Sequence, residues 1–317
     1  MRIGMFLADI AGPDYLSNPL GVLVDRARKA EAHGFASAWV PHVPMSTDAL
    51  TALALVADAT TRIELGTAVV PIQIHHPFAM AQQAVTVQAA SRGRLVLGIG
   101  MSHKMLIEGM LGLSYDHAAA RMREYATILN GLFRGEAVSF DGDWYRLNAT
   151  LPHPGLSVEE ATVPVLLAAL QPRMLNVAGA LSAGTILWLA DERAIAEHVV
   201  PHITAAAIEG GRPAPRIVAS VGVSVGPDAD AARHAAADVF SVYSSIPSYG
   251  YMLQQGAARG PADVAIVGDE AAVRRRLQAF ADAGATDVIA VPFGSGPDPS
   301  ASIDATWEVL AGLAQEG

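Results

Sequence analysis

Short apolar runs alternate with longer helical segments along the whole chain. Eight of these runs carry few charged residues, and they lie at 2–8, 35–40, 63–70, 94–100, 163–170, 185–190, 216–225 and 286–291. Such runs are typical of strands that are buried on both faces, as in parallel sheets covered by helices. The pattern therefore predicts a parallel sheet inside a layer of helices.

The segments between the runs have helical spacing and recognisable ends. They lie at 18–34, 47–60, 77–92, 172–181, 191–209, 228–240, 269–283 and 300–314. Pro19, Pro77 and Pro172 fit the first turn of a helix, where the missing N–H costs nothing. Thr47 or Asp48 is a suitable N-cap for the second helix. These signals support the alternation of strand and helix.

Eight strands alternating with eight or more helices predict a closed (β/α)₈ barrel, and an open doubly wound sheet is the alternative. The chain has no Pro/Ser-rich linker, so we expect one domain over 1–317. Two longer segments, 101–162 and 226–263, are predicted insertions after the fourth and seventh strands. Insertions there would lie at the carboxyl-end face, where barrel enzymes bind substrate.

Each insertion has a predicted internal structure. The first contains a hairpin, VSFDGDWYRL, which we expect to turn at Asp141 and Gly142. The second contains a helix followed by a loop, SVYSSIPSYGYMLQQG. Both would extend the rim of the barrel mouth.

Composition narrows the class of protein. Of 317 residues, 51% are hydrophobic and 16% charged, which excludes a disordered chain. The net charge of −10 argues against a nucleic-acid-binding surface, which needs clustered Lys and Arg. The chain has no cysteine, which excludes disulfides and thiolate metal sites and fits a reducing compartment.

The amino terminus, MRIGMFLADI, has too short an apolar stretch for a signal peptide and predicts the first strand. The uncharged stretches at 65–91 and 174–190 are broken by proline, histidine, glycine or asparagine, unlike a membrane span. We therefore expect a cytoplasmic protein that does not cross a membrane and acts on a small molecule.

Histidines follow three consecutive predicted strands and would share the barrel mouth. His42 suits proton transfer near neutral pH, and a solvated loop histidine is the alternative. His75 and His76 are adjacent and point apart in an extended chain, while His103 follows the next strand. No carboxylate has a recognisable ligand spacing to them, so we expect no metal site. His76 directly precedes Pro77 and fits the entry to a helix.

Two other motifs point to a ligand at the mouth. The motif GIGMSH at 98–103 begins like a dinucleotide fingerprint but lacks the third glycine. We interpret its glycines as places where the backbone approaches a flat ligand. Arg173, at the start of a helix, could bind an anion together with the free amides there, and an ordinary strand-to-helix turn is the alternative. We expect Trp39, Trp144 and Trp188 to be packing residues.

Three long stretches closely resemble the bacterial luciferase-like flavin and deazaflavin oxidoreductases. They are TRIELGTAVVPIQIHHPFAMAQQAVTVQAASRGRLVLGIGMSHK at 61–104, VPVLLAALQPRMLNVAGALSAGTILWLAD at 163–191 and AIVGDEAAVRRRLQAFADAGATDVIAV at 265–291. The segments SAWVPHV, GTAVV and AALQPRML together resemble the branch that uses the deazaflavin coenzyme F-420. The resemblance covers essentially the whole chain.

The resemblance implies a barrel with the cofactor ring in its carboxyl-end mouth. It implies a cis peptide bond between Ala68 and Val69, which forms a bulge behind the ring. Residues implied around the ring are Thr67, Ala68, Val69, Gly100, Met101 and His103. Residues implied around the ribityl chain and phosphate are Ala168, Ala169, Leu170, Arg173, Gly184 and Thr185. His42 falls where many deazaflavin enzymes have an active-site histidine.

The chain departs from relatives in two places. Many have an acidic residue directly before the active-site histidine, where this chain has Pro41, and sugar-phosphate-oxidising relatives are often acidic at the position of His103. Their substrate is therefore not expected here. The resemblance implies an F-420-dependent oxidoreductase that transfers a hydride to or from a small organic substrate. The alternatives are an FMN-dependent monooxygenase and a non-catalytic flavin-binding protein. Many relatives are dimers, so we expect a homodimer.

Overall fold

The computed structural model describes residues 1–9, 12–153 and 155–316. Its strands, in chain order, are β1 (Arg2–Phe6), β2 (Ser37–Val40), β3 (Glu64–Thr67), β4 (Val70–Pro71), β5 (Leu95–Gly100), β6 (Ala137–Asp141), β7 (Arg146–Thr150), β8 (Val165–Ala168), β9 (Gly184–Trp188), β10 (Arg216–Val225), β11 (Ile266–Gly268) and β12 (Asp287–Pro292). All eight predicted strands are present.

The helices, in chain order, are α1 (Pro13–Ser17), α2 (Pro19–Ala32), α3 (Ala49–Ala59), α4 (Pro77–Ala90), α5 (Ala118–Phe133), α6 (Val158–Ala161), α7 (Pro172–Leu181), α8 (Glu192–Ala194), α9 (Val200–Glu209), α10 (Ala229–Val239), α11 (Pro247–Gln255), α12 (Pro261–Val264), α13 (Glu270–Asp282) and α14 (Pro299–Glu316). Short 3₁₀ turns lie at Ile72–Ile74 and Ser241–Ser245, and π-helical turns at Met105–Met110 and Ile195–Val199. None of the described helices is both long enough and apolar enough to cross a bilayer.

Eight parallel strands close into a barrel. Strand β1 pairs with β2 on one side and with β12 on the other, and the ring continues through β3, β5, β8, β9 and β10 back to β12. Because the sheet has no break between its first and last strands, the predicted (β/α)₈ barrel is confirmed and the open doubly wound sheet is wrong.

The barrel interior is filled by side chains from alternate strand positions. Six of them form a buried cluster, namely Trp39, Val96, Leu166, Ile186, Val218 and Ile289. A Cβ on Gly66 would lie 2.2 Å from the Trp39 ring, so the absence of a side chain there makes room for the indole. The Trp39 Nε1 donates to Ser37 Oγ at 2.8 Å. Trp39 is thus a packing residue, as predicted.

Charged residues tie together the amino ends of four barrel strands. Arg216 Nη2 lies 3.0 Å from Glu64 Oε1 and 2.7 Å from Asp287 Oδ1. Arg2 also reaches both carboxylates, at 3.2 and 3.4 Å. Each of these four residues is the first of its strand, so the network closes the end of the barrel opposite to the predicted mouth.

The two predicted insertions are present, with differences in detail. The hairpin pairs Asp141 with Arg146, so its turn is longer than predicted and runs through residues 142–145. The Glu124 carboxylate accepts hydrogen bonds from the amides of Asp143, Trp144 and Tyr145 in this turn, at 2.8, 3.1 and 3.2 Å. These three bonds stabilise the wider turn from outside the hairpin.

The predicted loop in the second insertion is wrong, because most of it is helical. Residues 241–245 form a 3₁₀ turn, and Pro247 begins α11. The fully buried Met252 and the partly buried Tyr249 pack this helix against the core. Tertiary packing of one face therefore outweighs the glycine and serine content that suggested a loop.

Candidate active site

The floor of the barrel mouth is apolar and closely packed. A Cβ on Gly100 would lie 2.8 Å from Val69 Cγ2 and 2.9 Å from Ala168 Cβ. The segment between β3 and β4 and the carboxyl ends of β5 and β8 therefore meet at a point where only glycine fits. Val69, Ala168 and Ala68 are partly exposed above the interior cluster. This arrangement leaves a partly exposed apolar surface formed by predicted site residues.

The third barrel strand is interrupted by a cis peptide bond between Ala68 and Val69, which confirms that expectation. Thr67, directly before it, is fully buried. Its hydroxyl donates to Gly98 O at 2.7 Å and accepts from Gly98 N at 2.9 Å. Thr67 thus joins this strand to the next, and the cis bond separates β3 from β4.

His42 lies at the end of β2 with its side chain only 11% exposed. Its Nδ1 is 3.5 Å from Asp48 Oδ2 and 3.4 Å from the amide N of Ala49, at the start of α3. Burial lowers the pKa of His42, and the Asp48 charge partly opposes this. Because the pKa is lowered, the ring is neutral at pH 7 and can accept a proton.

His75 packs edge-on against His42, with 5.8 Å between the ring centres. Burial lowers the pKa of His75, His42 lowers it further, and Asp48 opposes both effects. Its Nε2 is buried without a hydrogen-bond partner among the described residues. The sequence predicted that the histidines share the barrel mouth, but it did not predict this contact.

His42, Asp48 and His75 each place a potential ligand atom within 4.8 Å of the others. Within the described ranges, this is the group of histidines and carboxylates that could hold a metal ion. His76 is not part of this group. It is the N-cap of α4, as predicted, and its Nδ1 accepts from Phe78 N at 3.2 Å. The expectation that the protein has no metal site stays a prediction.

His103 connects the two insertions. Its Nε2 lies 3.1 Å from the hydroxyl of Tyr249 in α11. Burial lowers the pKa of His103 and raises the pKa of Tyr249 strongly, so both groups are neutral at pH 7. Tyr115 OH donates to Ser102 O at 3.2 Å beside this pair. The first insertion and α11 therefore meet at the mouth through this pair.

Aromatic residues of the second insertion cover the end of β9. The Trp188 ring packs against Phe240 and Tyr243, each with 5.5 Å between ring centres. Its Nε1 is buried without a partner in the described part of the chain. Trp188 was predicted to be a packing residue, and these two contacts fit that prediction. Its unpaired N–H nevertheless adds a polar group that a ligand could satisfy.

A third unpaired polar atom lies beside predicted site residue Met101. Gln73 Nε2 donates to Met101 O at 2.8 Å, whereas Gln73 Oε1 is buried without a partner among the described residues. The amide orientation is assigned from the hydrogen-bond network. Gln73 is the polar residue within the apolar run PIQI. This position could have indicated a buried polar group near the mouth, but sequence reasoning missed it.

The end of β8 leads into α7 and its anion-binding candidate. Ala169 is buried, and Leu170 O lies 2.9 Å from His198 Nε2, a contact that the sequence did not suggest. The Arg173 side chain is exposed in the first turn of α7. It is thus accessible to an anion at the helix start, where free amides point outward.

Two predicted residues have other surroundings. Thr185 is fully buried, and its hydroxyl donates to Leu167 O at 2.9 Å, which joins β9 to β8. Gly184 is the first residue of β9 and pairs with Arg216, at the end of the barrel that the ion-pair network closes. The structure therefore does not bring Gly184 together with His42, Val69 and Gly100.

The closed parallel barrel, with its polar groups around an apolar mouth, is the architecture of a ligand-binding enzyme of the (β/α)₈ class. The family model for luciferase-like monooxygenases matches residues 1–287. The chain belongs to this luciferase-like family and is an oxidoreductase.

Two curated relatives are informative about the family branch. The chain is 30% identical over 223 residues to 5,10-methylenetetrahydromethanopterin reductase of Archaeoglobus fulgidus, covering 69% of this chain and 65% of the relative. It is 34% identical over 180 residues to F420-dependent glucose-6-phosphate dehydrogenase of Mycobacterium avium, covering 52% of each.

Solved structures share the fold over nearly the whole chain. The coenzyme F420-dependent tetrahydromethanopterin reductase of Methanopyrus kandleri has a TM-score of 0.79 and 21% identity, covering 98% of this chain and 97% of that one. A monooxygenase from Streptomyces bottropensis also has a TM-score of 0.79, with 20% identity and complete coverage of both chains. At these identities the likeness establishes the fold alone.

Proposed function

We propose that the protein is a coenzyme F-420-dependent oxidoreductase that transfers a hydride to or from a small organic substrate. The observation that carries the proposal is the 34% identity to a relative named as F420-dependent, and the apolar floor at Val69, Gly100 and Ala168 supports it. When bound, the deazaflavin supplies hydride transfer at its C-5 carbon. The protein contributes orientation, exclusion of water and a proton.

The residues at the mouth fit such a group. Gly100, which has no room for a side chain, lets Val69 and Ala168 pack close together over it, and these two side chains would offer an apolar surface to a planar ring. The unpaired Trp188 Nε1 and Gln73 Oε1 would find partners in a polar ligand. The proposed contacts near the ring are Thr67, Ala68, Val69, Gly100, Met101 and His103.

The phosphate side of the ligand would lie toward α7. Arg173, together with the free amides in the first turn of that helix, would bind a phosphate group. The ribityl chain, which leads from the ring to the phosphate, would lie beside Ala168, Ala169 and Leu170. Thr185 would act indirectly, because its hydroxyl already holds the backbone of β8. We leave Gly184 out of the proposed contacts on the basis of its position.

His42 would give or take the proton that accompanies hydride transfer. The ring is buried at the rim, and its lowered pKa leaves it unprotonated at neutral pH. In the direction that oxidises an alcohol, His42 would accept the hydroxyl proton. In the reducing direction, it would return that proton to the product.

A second candidate is an FMN-dependent monooxygenase, and the family description favours it. The two cofactors imply different reactions, because a carbon at position 5 of the ring disfavours the oxygen adduct that a monooxygenase needs. A non-catalytic flavin-binding protein is the third alternative, and the turnover part of the test below addresses it.

Titration of the purified protein with F-420 and with FMN, followed by fluorescence quenching, tests the proposal. We expect saturable binding of F-420 at micromolar concentration or below and much weaker binding of FMN. A screen of alcohols, aldehydes and activated alkenes, read by F-420 absorbance, then measures turnover. Tight FMN binding without F-420 binding would overturn the proposal in favour of the monooxygenase. Binding without turnover of any compound would favour the non-catalytic alternative.

Three further expectations from the sequence belong to the proposal. The protein would be cytoplasmic, it would form a homodimer, and each chain would fold as one domain. Sedimentation at several protein concentrations measures the mass in solution. A monomer at micromolar concentration would contradict the dimer without bearing on the cofactor.

A further inference from the structure

Asp48 holds a fixed position beside His42. It is the N-cap of α3, and its Oδ1 accepts from Thr51 N at 2.7 Å. Burial opposes ionisation of Asp48, but the Thr51 hydrogen bonds and the two nearby histidines outweigh it and lower the pKa of this carboxyl. The side chain is therefore ionised at pH 7. Its second oxygen, Oδ2, faces His42 Nδ1 at 3.5 Å.

His42 Nδ1 has two competing neighbours. The Ala49 amide donates to it at 3.4 Å, whereas Asp48 Oδ2 lies 3.5 Å away, which is an ion-pair distance and becomes a hydrogen bond only when Nδ1 carries the proton and the two groups move closer. Nδ1 cannot accept from the amide and donate to the carboxylate at the same time. A carboxylate is the stronger partner, because a hydrogen bond to a charged acceptor is about twice as strong as one between neutral groups. Both distances are long, which is common for catalytic hydrogen bonds before the ligand binds.

We infer that Asp48 is a positioning residue that holds His42 with Nδ1 protonated, so that Nε2 is the atom that exchanges a proton with the substrate. The structural part of this inference stands on the contacts of Asp48, and its catalytic part rests on the proposed role of His42. His75 packs edge-on against the His42 ring, with 5.8 Å between the ring centres.

Asp48→Asn is a sharp test, because asparagine caps a helix as well as aspartate does. With its oxygen on Thr51 N, the amide NH₂ of the new residue faces His42 Nδ1 and donates to it. The ring must then carry its proton on Nε2. The same replacement in a serine protease triad produces the wrong tautomer and lowers turnover about 10⁴-fold.

The first readout is independent of activity. ¹⁵N NMR of the imidazole nitrogens in the cofactor-free protein reports the tautomer and pKa of His42, assigned with His42→Gln. We expect protonated Nδ1 in the natural protein and protonated Nε2 in Asp48→Asn. The groups that face His42 are Asp48, His75 and the amino end of α3, and only Asp48 favours the charged ring. Its removal therefore lowers the pKa of His42.

The second readout is turnover with F-420. We expect Asp48→Asn to lower kcat about 10-fold or more and to leave the dissociation constant for F-420 within about twofold. In either reaction direction, the limb of the pH profile that belongs to His42 moves to lower pH. Asp269→Asn is the matched control, because Asp269 caps α13 through Ala272 N at 2.8 Å without a histidine beside it.

Protonated Nε2 in the natural protein, or an unchanged His42 tautomer and pKa in Asp48→Asn, would overturn the inference. Stoichiometric Zn²⁺ binding that shifts the His42 and His75 signals and is lost in Asp48→Asn would also overturn it, since the carboxylate would then be a metal ligand. If the tautomer and pKa respond as expected but the natural protein neither binds nor turns over F-420, the positioning role stands and the proposed function fails.

Discussion

At the scale of single residues, the site combines neutral histidines with an apolar floor. His42 and His103 lie on different sides of the mouth, and burial lowers the pKa of both. His42 has a carboxylate beside it, whereas His103 has a tyrosine hydroxyl. Because a charged neighbour can stabilise an imidazolium and a neutral hydroxyl does so much less, the two rings suit different roles. His42 is the better candidate for proton transfer.

Replacing His42 by alanine tests this role. We expect kcat with F-420 to fall by about 10²- to 10⁴-fold, the range that general acid–base catalysis contributes. Binding of F-420, measured by fluorescence quenching, should stay nearly unchanged, because the apolar floor is not altered. His234→Ala, at an exposed position of α10, is the control. Equal turnover in His42→Ala and the natural protein would rule out the role.

At the scale of elements, α11 is held at the mouth by a small number of contacts. Tyr249 bonds His103, and the Tyr251 ring packs 5.7 Å from His198 beyond the other end of the floor. At the carboxyl end of α11, the Asp191 carboxylate accepts from Ala257 N and Ala258 N at 2.7 and 2.8 Å. The helix is therefore anchored after its last turn by the backbone and over the mouth by one side-chain hydrogen bond.

Tyr249→Phe removes that side-chain hydrogen bond while keeping the aromatic ring. A typical intramolecular hydrogen bond contributes about 0.5–1.5 kcal/mol. We therefore expect amide hydrogen exchange in α11 to become about 2- to 10-fold faster, with little change in the barrel strands. Tyr243→Phe is the control, since among the described residues no hydrogen bond is made by that hydroxyl. Equal exchange rates in both variants would show that the bond to His103 does not hold α11.

The sequence predicted the elements better than it predicted their contacts. Pro77 and Pro172 begin α4 and α7 where expected, and Asp48 caps α3, because these signals are local. Strand β11, of three residues, is too short for a periodic pattern and was missed, whereas the strand predicted over 63–70 ran through β3 into β4 without a break. The predicted helix over 191–209 contains a π-helical turn before Pro201, which lacks the N–H that a regular helix needs.

The site was predictable only in part, for the same reason. The floor at Val69, Gly100 and Ala168 followed from the family resemblance, since each lies at the end of a recognisable strand. The contact of His75 with His42 and that of Tyr249 with His103 depend on how the loops pack, and no sequence period reports that. Gly184 was placed beside the ribityl chain and phosphate by the family resemblance alone, whereas the structure makes it the first residue of β9, at the amino end of the barrel.

At the scale of the whole molecule, charged side chains brace the outer layer and the closed end of the barrel. Arg94 donates to the carbonyls of Ala57, Thr60 and Ile63, at 3.0, 2.9 and 2.8 Å, between α3 and β3. Glu31, near the end of α2, accepts from the amides of Thr61, Arg62 and Ile63 in the same segment. The stability of the barrel is thus linked to the ionisation of a carboxylate remote from the mouth.

Glu31 makes acid stability a test of this link. Burial alone would raise the pKa of Glu31, but the three backbone amides and the Thr61 hydroxyl outweigh it and lower the pKa from 4.5 to about 2. A carboxyl whose pKa is lower in the folded state stabilises that state fully above pH 4.5. Its contribution disappears as the pH falls from about 4.5 to about 2.

We expect Glu31→Gln to lower the free energy of unfolding at pH 7 by about 0.5–1.5 kcal/mol, because a neutral amide accepts more weakly than a carboxylate while water can reach the exposed Thr61 and Arg62 donors. The difference from the natural protein should shrink between pH 4.5 and pH 2, because protonated Glu31 loses the same hydrogen bonds. Urea unfolding at several pH values measures this. Glu209→Gln, at an exposed carboxylate, should show neither effect. A difference between Glu31→Gln and the natural protein that stays constant down to pH 2 would mean that the Glu31 side chain stabilises the barrel through its packing and not through its charge.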